Sequence, residues 1–214
     1  FWNYSRFWAK NFSWVVTTFF WMPELYKKAG QPSVLRSQWA ANTDVYRPTG
    51  AAGTGPDVSF VGSWSKPRKE IISAVRRAGV NVFVRGGGWP EGRASEEEMI
   101  EIFSTSKINL GLNPPPGLWN ADSLGRIFFR RSVGGITPDF HLFSNIKTWF
   151  CRGVPQIKAR HFEIPACGGL LLTSMADDLD KFFKIGEEIA VYENTADLVE
   201  KIKYYLARDG EREK

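Results

Sequence analysis

Lys158, Arg160 and Glu163 are the residues of this sequence whose types and spacing best suit ligand chemistry. They lie close together in the stretch QIKARHFEIPACGGLLLTS, residues 156–174. Cations of this kind can hold a diphosphate, and a carboxylate can accept hydrogen bonds from sugar hydroxyl groups. A nucleotide-sugar site needs both functions, so we predict that this stretch forms half of such a site.

A short helix and a strand must position these side chains. We predict a helical segment that carries them, ends at Gly168 and Gly169, and runs directly into an apolar strand at 170–173. Open α/β sheets bind ligands at the carboxyl ends of their strands, where helix N-termini favour phosphate. A glutamate near a helix start is often only a surface group. The neighbouring cations and glycines nevertheless favour a ligand role for Glu163.

From Val58 onward the sequence alternates between apolar strand patterns and amphipathic helix patterns. We predict strands at 58–62, 81–84, 108–112, 170–173 and 189–192. Helices are predicted at 66–79, from Ser95, around 146–150, in a turn from Asp177, and at 198–206. Ser95 and Glu98 have the spacing of a capping box. This order predicts an α/β fold, a Rossmann-like and mostly parallel sheet with helices on both faces.

The first 49 residues differ in composition, since they are unusually rich in aromatic residues. We predict a helical stripe of Phe7, Trp8 and Phe12, a short buried strand at 14–18 and a helical turn at 24–30. The segment GAAGTGP, which begins at Gly50, has linker composition. We therefore predict three parts, namely residues 1–49, a linker at 50–57, and a domain at 58–214.

Composition narrows the classes of protein without choosing among them. Hydrophobic residues make up 43% and charged residues 24% of the chain, which predicts a packed core rather than disorder. The net charge of +5 suits an anionic ligand, nucleic acid or an anionic membrane surface. The basic residues are scattered and lack the context of a known RNA- or DNA-binding module, so we expect no nucleic-acid partner.

The cysteines and the lack of a long apolar run indicate the cellular compartment. Cys151 and Cys167 fit neither a disulfide framework nor a zinc site, and we expect free thiols in a reducing compartment. There is no signal-peptide layout and no apolar run near the roughly 20 residues of a membrane span. We therefore expect a cytoplasmic protein. The chain starts at Phe1 rather than Met, which suggests a fragment.

Two glycine turns are further candidates for ligand contact. Gly62 and Ser63 follow the first predicted strand, and the cations Lys66, Arg68 and Lys69 come next, an arrangement that suits phosphate. An ordinary strand-to-helix turn with a solvated basic first turn explains these residues equally well.

The second turn, GGGW, ends at Trp89, whose ring could meet a nucleobase or could be a half-buried indole in a loop. Gly87 and Gly92 have P-loop spacing, but Arg93 and Ala94 replace the required Lys-Ser/Thr pair. We therefore exclude a Walker A motif.

The acidic residues and the histidines give weaker evidence for a metal site or a catalytic site. Asp178 and Asp180 form an Asp-x-Asp spacing with Asp177 before them, but acids that start a helix explain these residues better than metal ligands. We expect no bound metal. Neither His141 nor His161 has a Ser, Cys or Asp partner at the spacing of a catalytic triad, so hydrolase chemistry has no support.

Taken together, five stretches resemble the CgeB/YkvP spore-maturation family, a branch of the GT-B glycosyltransferases. They are FVGS at 60–63, GGGW at 86–89, INLGLN at 108–113, QIKARHFEIPACGGLLLT at 156–173 and IAVYENTADLVEKIKYYL at 189–206. The stretches YKKAG and SQWAANTDVYRP resemble the end of a GT-B N-terminal domain and the crossover that follows it. The resemblance implies that residues 58–214 are the C-terminal, donor-binding domain and that most of the N-terminal domain is missing.

The resemblance also implies roles for individual residues. Glu163 matches a glutamate that bonds the donor ribose, Gly168 and Gly169 match the glycines beside it, and Lys158 and Arg160 lie where cations contact the donor phosphates. Many retaining relatives carry a second glutamate eight positions before the first, where this chain has Pro155. The residues expected to bind the donor are Gly62, Ser63, Trp89, Asn113, Lys158, Arg160, Phe162, Glu163, Gly168 and Gly169.

The function that the resemblance implies is sugar transfer from a nucleoside diphosphate sugar to an unknown acceptor, a glycan, protein or small molecule. No cofactor is expected, because cations of the protein would stabilise the leaving diphosphate. The alternative is a non-catalytic module that binds a nucleotide or glycan in spore-coat or cell-surface assembly. A third hypothesis makes the aromatic segment 1–49 a membrane-surface anchor. The same aromatic residues are better explained as a core that truncation has exposed.

Overall fold

The structure, a computed structural model, describes residues 2–49, 53–114, 121–132, 134–151 and 153–212, with the backbone alone for Asn3, Asp122, Arg131 and Ser132. The chain divides into two compact units. Unit 1 comprises Phe1–Trp39 and Pro115–Gln156, and unit 2 comprises Ala40–Pro114 and Ile157–Lys214. The division into 1–49, a linker at 50–57 and 58–214 stays a prediction, and residues 50–52 lie outside the described ranges.

The secondary structure follows in chain order. The helices are α1 (Trp2–Trp8), α2 (Met22–Lys28), α3 (Lys66–Arg77), α4 (Glu96–Thr105), α5 (Ala121–Phe128), α6 (Leu142–Cys151), α7 (Arg160–Ala166), α8 (Thr195–Leu206) and α9 (Asp209–Arg212). The strands are β1 (Val15–Thr17), β2 (Val34–Arg36), β3 (Val58–Val61), β4 (Phe83–Arg85), β5 (Ile108–Gly111), β6 (Phe129–Ser132), β7 (Gly135–Pro138), β8 (Leu171–Ser174) and β9 (Ala190–Tyr192). No described helix is both long and apolar enough to cross a membrane.

Unit 2 is built on a five-stranded parallel sheet in the order β4-β3-β5-β8-β9. Both β3 and β5 are buried at every position, as strands covered on two faces must be. The predicted α/β class, a Rossmann-like sheet flanked by helices, is confirmed. Because β4 lies on one side of β3 and β5 on the other, the chain reverses direction across the sheet between β3 and β5. Ligands of open α/β folds bind at such a switch point.

Helices cover both faces of this sheet. Ile72 of α3 and Leu198 of α8 belong to one buried cluster, and Phe103 of α4 belongs to a second cluster together with side chains of α7. Leu171 and Leu172 of β8 contribute to different clusters, because successive strand residues point to opposite faces. The apolar positions that predicted the strands therefore form two cores, one on each side of the sheet.

Local signals place the helix boundaries of unit 2 close to the predicted ones. The capping box of α4 is confirmed, since Ser95 Oγ accepts from Glu98 N at 3.1 Å and Glu98 Oε2 accepts from Ser95 N at 2.9 Å. Helix α3 starts after its N-cap Ser65 and is followed by Gly79, whose φ is +86°. The helical turn predicted from Asp177 is a 3₁₀ turn, Leu179–Lys181, since Asp178 takes a left-handed conformation with φ of +64°.

Unit 1 departs further from the sequence predictions. A strand lies within the predicted 14–18 segment, but its predicted burial is wrong, because Trp14 is 65% and Val16 62% exposed. Only the opposite side of β1 faces the small core of this unit, where Thr17 is buried and Val15 packs. Of the predicted helical stripe, Phe7 and Trp8 lie in α1 but Phe12 lies beyond it, and both Trp8 and Phe12 are exposed.

The middle of the chain was predicted as a loop and a helix around 146–150. That helix is confirmed as α6, while α5 and the antiparallel pair β6-β7 were missed. The turn between β6 and β7 contains Gly134 and opens onto Gly135, which has φ of +130°. The two adjacent glycines, Gly134 and Gly135, were the available signal for this hairpin, since the strands FRRS and GITP have no apolar pattern.

Gly169 provides a test of the packing in unit 2. A Cβ atom at this position would overlap the carbonyl oxygen of Phe103 and lie 2.6 Å from Asn109 Nδ2. We expect Gly169→Ala to lower the free energy of unfolding by about 1–3 kcal/mol in urea denaturation, because the neighbours must move. Gly210→Ala is the matched control, since a Cβ there meets no atom within 4 Å. Equal effects of the two substitutions would contradict this account.

Candidate functional site

Two arginines occupy the carboxyl ends of β3 and β5, at the switch point of the sheet. Arg160, the first residue of α7, donates from Nε to the carbonyl oxygen of Val61 at 3.0 Å. Arg68, in the first turn of α3, donates from Nε to Leu112 O at 3.0 Å and from Nη1 to Ser63 O at 2.8 Å. Both guanidinium groups are thus tied to strand ends, where an open α/β sheet receives its ligands.

Lys158 adds a third cation to this pair. Partial burial and the positive charge of Arg68 lower the pKa of Lys158. In the same way, burial and the positive charge of Arg160 lower the pKa of Arg68. Besides the cost of burial, Lys158 is repelled by Arg68, and Arg68 is repelled by Arg160, and a bound anion would relieve that repulsion. We call Arg68, Lys158 and Arg160 the cation cluster.

Glu163 faces the cation cluster and is paired with one of its members. Its Oε2 accepts from Arg160 Nη1 at 2.6 Å, and the side chains of Glu163 and Arg160 are 11% and 31% exposed. The two side chains are therefore largely covered. Because Arg160 is also bonded to the carbonyl oxygen at the end of β3, the pair lies at the edge of the sheet. Within the described part of the chain, no hydrogen bond engages Glu163 Oε1, so this oxygen can still accept one.

Tyr46 is a neighbour of this pair that the sequence did not suggest. Burial raises the pKa of Tyr46 to about 12, and the negative charges of Glu163 and Glu96 act in the same direction. Its hydroxyl donates to Glu96 Oε1 at 3.3 Å, and its ring packs against the core that α4 and α7 share. The residue lies in a segment without regular structure, so no periodicity pointed to it.

The glycine turns at the ends of β3 and β4 pack against each other. Trp89 donates from Nε1 to Gly62 O at 2.9 Å, and its ring meets the ring of Phe60 at a centroid distance of 6.2 Å. A Cβ on Gly86 would overlap Gly62 O, so only glycine permits this approach. The structure thus accounts for Gly62 and Trp89 by packing, while Ser63 is exposed beside them. Their contact with a donor stays a prediction.

The remaining predicted residues lie around α7 and after β5. Gly168 has φ of +75° and directly follows the C-cap of α7, so glycine ends the helix there. Phe162 points to the core side, with ring centroids 5.6 Å from Phe182 and 5.4 Å from Phe183. Asn113 is half-buried just beyond β5. All ten predicted residues belong to unit 2, but Phe162 and Gly168 have structural roles that explain them without a ligand.

His161 connects the cation cluster to the sheet. Its Nδ1 lies 3.1 Å from both the backbone nitrogen and the carbonyl oxygen of Lys158, and its Nε2 lies 3.2 Å from Thr173 Oγ1. Thr173 Oγ1 donates in turn to Gly111 O at 2.9 Å. This chain of hydrogen bonds fixes the backbone of Lys158 relative to β5 and β8. Burial lowers the pKa of His161, so the ring stays neutral at physiological pH.

His141 has an aspartate neighbour in the structure, although not at the spacing of a catalytic triad. In unit 1, His141 Nδ1 lies 2.9 Å from Asp139 Oδ1, and the backbone N–H of His141 donates to the same oxygen at 3.2 Å. Asp139 is buried and also binds Arg6 through its other oxygen. The aspartate therefore neutralises Arg6 and anchors the turn before α6. Its spacing of two residues from His141 was too short to be considered as a triad.

The acidic residues after β8 behave as the helix-start interpretation requires. Asp178 Oδ1 pairs with Lys181 Nζ at 2.6 Å, three positions later in the 3₁₀ turn. No group of three or more His, Cys, Asp or Glu side chains in the described ranges is arranged to hold a metal ion. Cys151 and Cys167 are free thiols in the described chain.

The family described as glycosyl transferase-like matches residues 139–214, which is 76 of the 214 residues and includes α7, β8, β9 and α8. No curated protein matches the chain. The match covers the segment that carries Lys158, Arg160 and Glu163, and it supports a role in glycosyl transfer, with a sugar donor and an acceptor as the partners that this role requires.

His161 gives a pH prediction for the site. Its folded-state pKa lies below its usual value of about 6.5, so below that pH the unfolded chain binds a proton that the folded chain resists. We expect stability to fall as the pH drops from about 6.5 towards the folded-state pKa, by at most about 1.4 kcal/mol per pH unit from this group. Above pH ~6.5 the contribution is constant.

The measurement is urea denaturation at neutral and mildly acidic pH, with His161→Asn as the reference. Asn can still accept from Lys158 N but cannot be protonated, so the pH-dependent loss should be smaller in the variant. An identical loss in both proteins would show that His161 does not resist protonation.

Proposed function

We propose that the protein binds a nucleoside diphosphate sugar at the cation cluster and transfers the sugar to an acceptor. The observation that carries this proposal is the position of Arg68, Lys158 and Arg160 together at the switch point of a parallel sheet. Three cations, of which Arg68 interacts unfavourably with both of the others, form a site for a polyanion, and a diphosphate supplies the opposite charge. The family match at 139–214 supports glycosyl transfer as the reaction.

Each charged group has a role in this proposal. Lys158, Arg68 and Arg160 bind the diphosphate and stabilise the charge that develops on it as the bond to the sugar breaks. Glu163 accepts a hydrogen bond from a ribose hydroxyl through Oε1, while Oε2 stays paired with Arg160. The protein cations supply the charge stabilisation, so we propose a reaction that needs neither a cofactor nor a metal.

The finer assignment is to the donor-binding domain of a CgeB/YkvP-like transferase of the GT-B type. It rests on the stretches quoted above and on the location of Glu163 beside Arg160 at the strand ends. Gly62, Ser63, Trp89 and Asn113 follow the carboxyl ends of β3, β4 and β5, and we propose that they line the same site. The acceptor is proposed only as a hydroxyl-bearing glycan, protein or small molecule.

The cation cluster is tested by binding of UDP, GDP and their sugars in isothermal titration with a chelator present. We expect Arg68→Gln and Lys158→Gln each to weaken binding by about ten-fold or more, because each removes a charge-assisted contact to phosphate. Lys158→Gln should at the same time maintain or raise the thermal stability of the free protein, because it removes repulsion from Arg68.

Lys69→Gln is the matched control, since Lys69 lies on the same helix as Arg68 but is exposed. Binding by this variant should stay within about two-fold of the unmodified protein, as surface charges contribute little. Absence of nucleotide binding in the unmodified protein, or equal losses in Lys69→Gln and Arg68→Gln, would refute the proposal.

Glu163 is tested by comparing nucleotides with inorganic pyrophosphate. Glu163→Gln should weaken UDP and GDP binding by about ten-fold, because a charged acceptor for the ribose is lost. Pyrophosphate binding should stay the same or become tighter, because the variant removes a negative charge from the phosphate site. Glu187→Gln, at an exposed position, is the control. Parallel losses for nucleotides and pyrophosphate would argue against a ribose contact.

A further inference from the structure

Helix α6 in unit 1 exposes large apolar side chains on one face, while its buried residues are the polar Asn145 and Trp149. Phe143 is 92% exposed, Phe150 60% and Ile146 39%. At about 100° per residue these three residues lie along one face of the helix, and the exposed Lys147 lies beside them. We call these four residues the outer face of α6.

Hydrogen bonds on the opposite side of α6 fix this orientation. Asn145 and Trp149 are 2% and 5% exposed. Asn145 Nδ2 donates to Ile127 O at 2.9 Å, Asn145 Oδ1 accepts from Arg6 Nη1 at 3.0 Å, and Trp149 Nε1 donates to Ser123 Oγ at 3.1 Å. Rotating the helix to bury its apolar face would break these bonds, and buried polar groups without partners are costly. The outer face is therefore built to point outward.

Unit 1 as a whole combines exposed apolar side chains with positive charge. Among the described residues, 17 of the 23 exposed large hydrophobic side chains belong to unit 1, most of them aromatic. The sequence of unit 1 contains ten lysines and arginines against three aspartates and glutamates, a formal net charge of +7. Unit 2 contains eighteen against twenty, a net charge of −2. The positive charge of the chain thus lies in the unit with the apolar surface.

We propose that the outer face of α6 docks onto an anionic lipid surface, with the helix lying in the plane of the membrane. Aromatic side chains favour the interface between lipid and water, and basic residues near it are attracted to anionic headgroups. Helix α6 itself contains no acidic residue, while Glu24 of α2 lies 3.9 Å from Lys147 and offsets part of its charge. Phe140 lies two residues before the helix and is 88% exposed, so it extends the apolar surface. This site lies outside the cation cluster and does not depend on the proposed reaction.

The experiment is flotation of the full chain with lipid vesicles. We expect binding to vesicles of equal parts phosphatidylcholine and phosphatidylglycerol, weaker binding to phosphatidylcholine alone, and weaker binding as salt is raised. The double substitution Phe143→Gln/Phe150→Gln should lower the bound-to-free ratio on anionic vesicles by about ten-fold or more, because two apolar side chains no longer enter the interface. Lys147→Glu should lower it by a smaller factor, about five-fold.

Phe83→Gln in unit 2 is the matched control, since Phe83 is aromatic and 37% exposed but belongs to the acidic unit. It should float like the unmodified protein, and circular dichroism should show that every variant is folded. Absence of flotation with anionic vesicles, or equal flotation of the double variant, would overturn the proposal. So would a vesicle-free dimer that the double substitution converts to monomer, since the outer face would then bind a second copy.

Discussion

Two arginines are held at the carboxyl ends of β3 and β5 with Lys158 near them, although Arg68 repels Lys158 and is repelled by Arg160. Arg68 and Arg160 are fixed there by hydrogen bonds to carbonyl oxygens of the strand ends and their turns, and Lys158 is fixed through its backbone. Burial, and after it the repulsion of Lys158 by Arg68 and of Arg68 by Arg160, lowers the pKa of Lys158 and Arg68, so folding gains nothing from placing these charges together. A site that retains such an arrangement is prepared for an anion, which is why the proposed function depends on this cluster.

Residues 158–173 divide into those that face this edge of the sheet and those that lock the segment in place. Arg160 and Glu163 form the pair at the edge. His161 and Thr173 face inward and link the backbone of Lys158 to Gly111 at the end of β5. Residues that face the sheet edge and residues that face inward alternate along this segment. A short motif can therefore carry its charged groups and also hold them in place.

The two units differ in what their surfaces offer. Unit 2 has a net charge of −2 and concentrates three of its cations at one edge, where a small anion would fit. Unit 1 has a net charge of +7 and exposes most of the large apolar side chains, with α6 held outward by the bonds of Asn145 and Trp149. A small anionic ligand and an extended anionic surface therefore suit different parts of the same chain.

The sequence by itself determined the class of unit 2 and the segment with its chemical groups. Apolar runs, capping residues and glycines are local signals, so the strands, the capping box at Ser95 and the presence of Lys158, Arg160 and Glu163 in one short segment were predictable. Tertiary structure alone decided that Arg68 joins them, that Tyr46 lies beside Glu163, that Trp89 packs on Gly62, and that α6 turns Phe143 outward. Those outcomes depend on which strand ends meet and which side chains find hydrogen-bond partners far along the chain. No local pattern encodes such long-range contacts, because periodicity gives the faces of an element but not the neighbour that each face will meet.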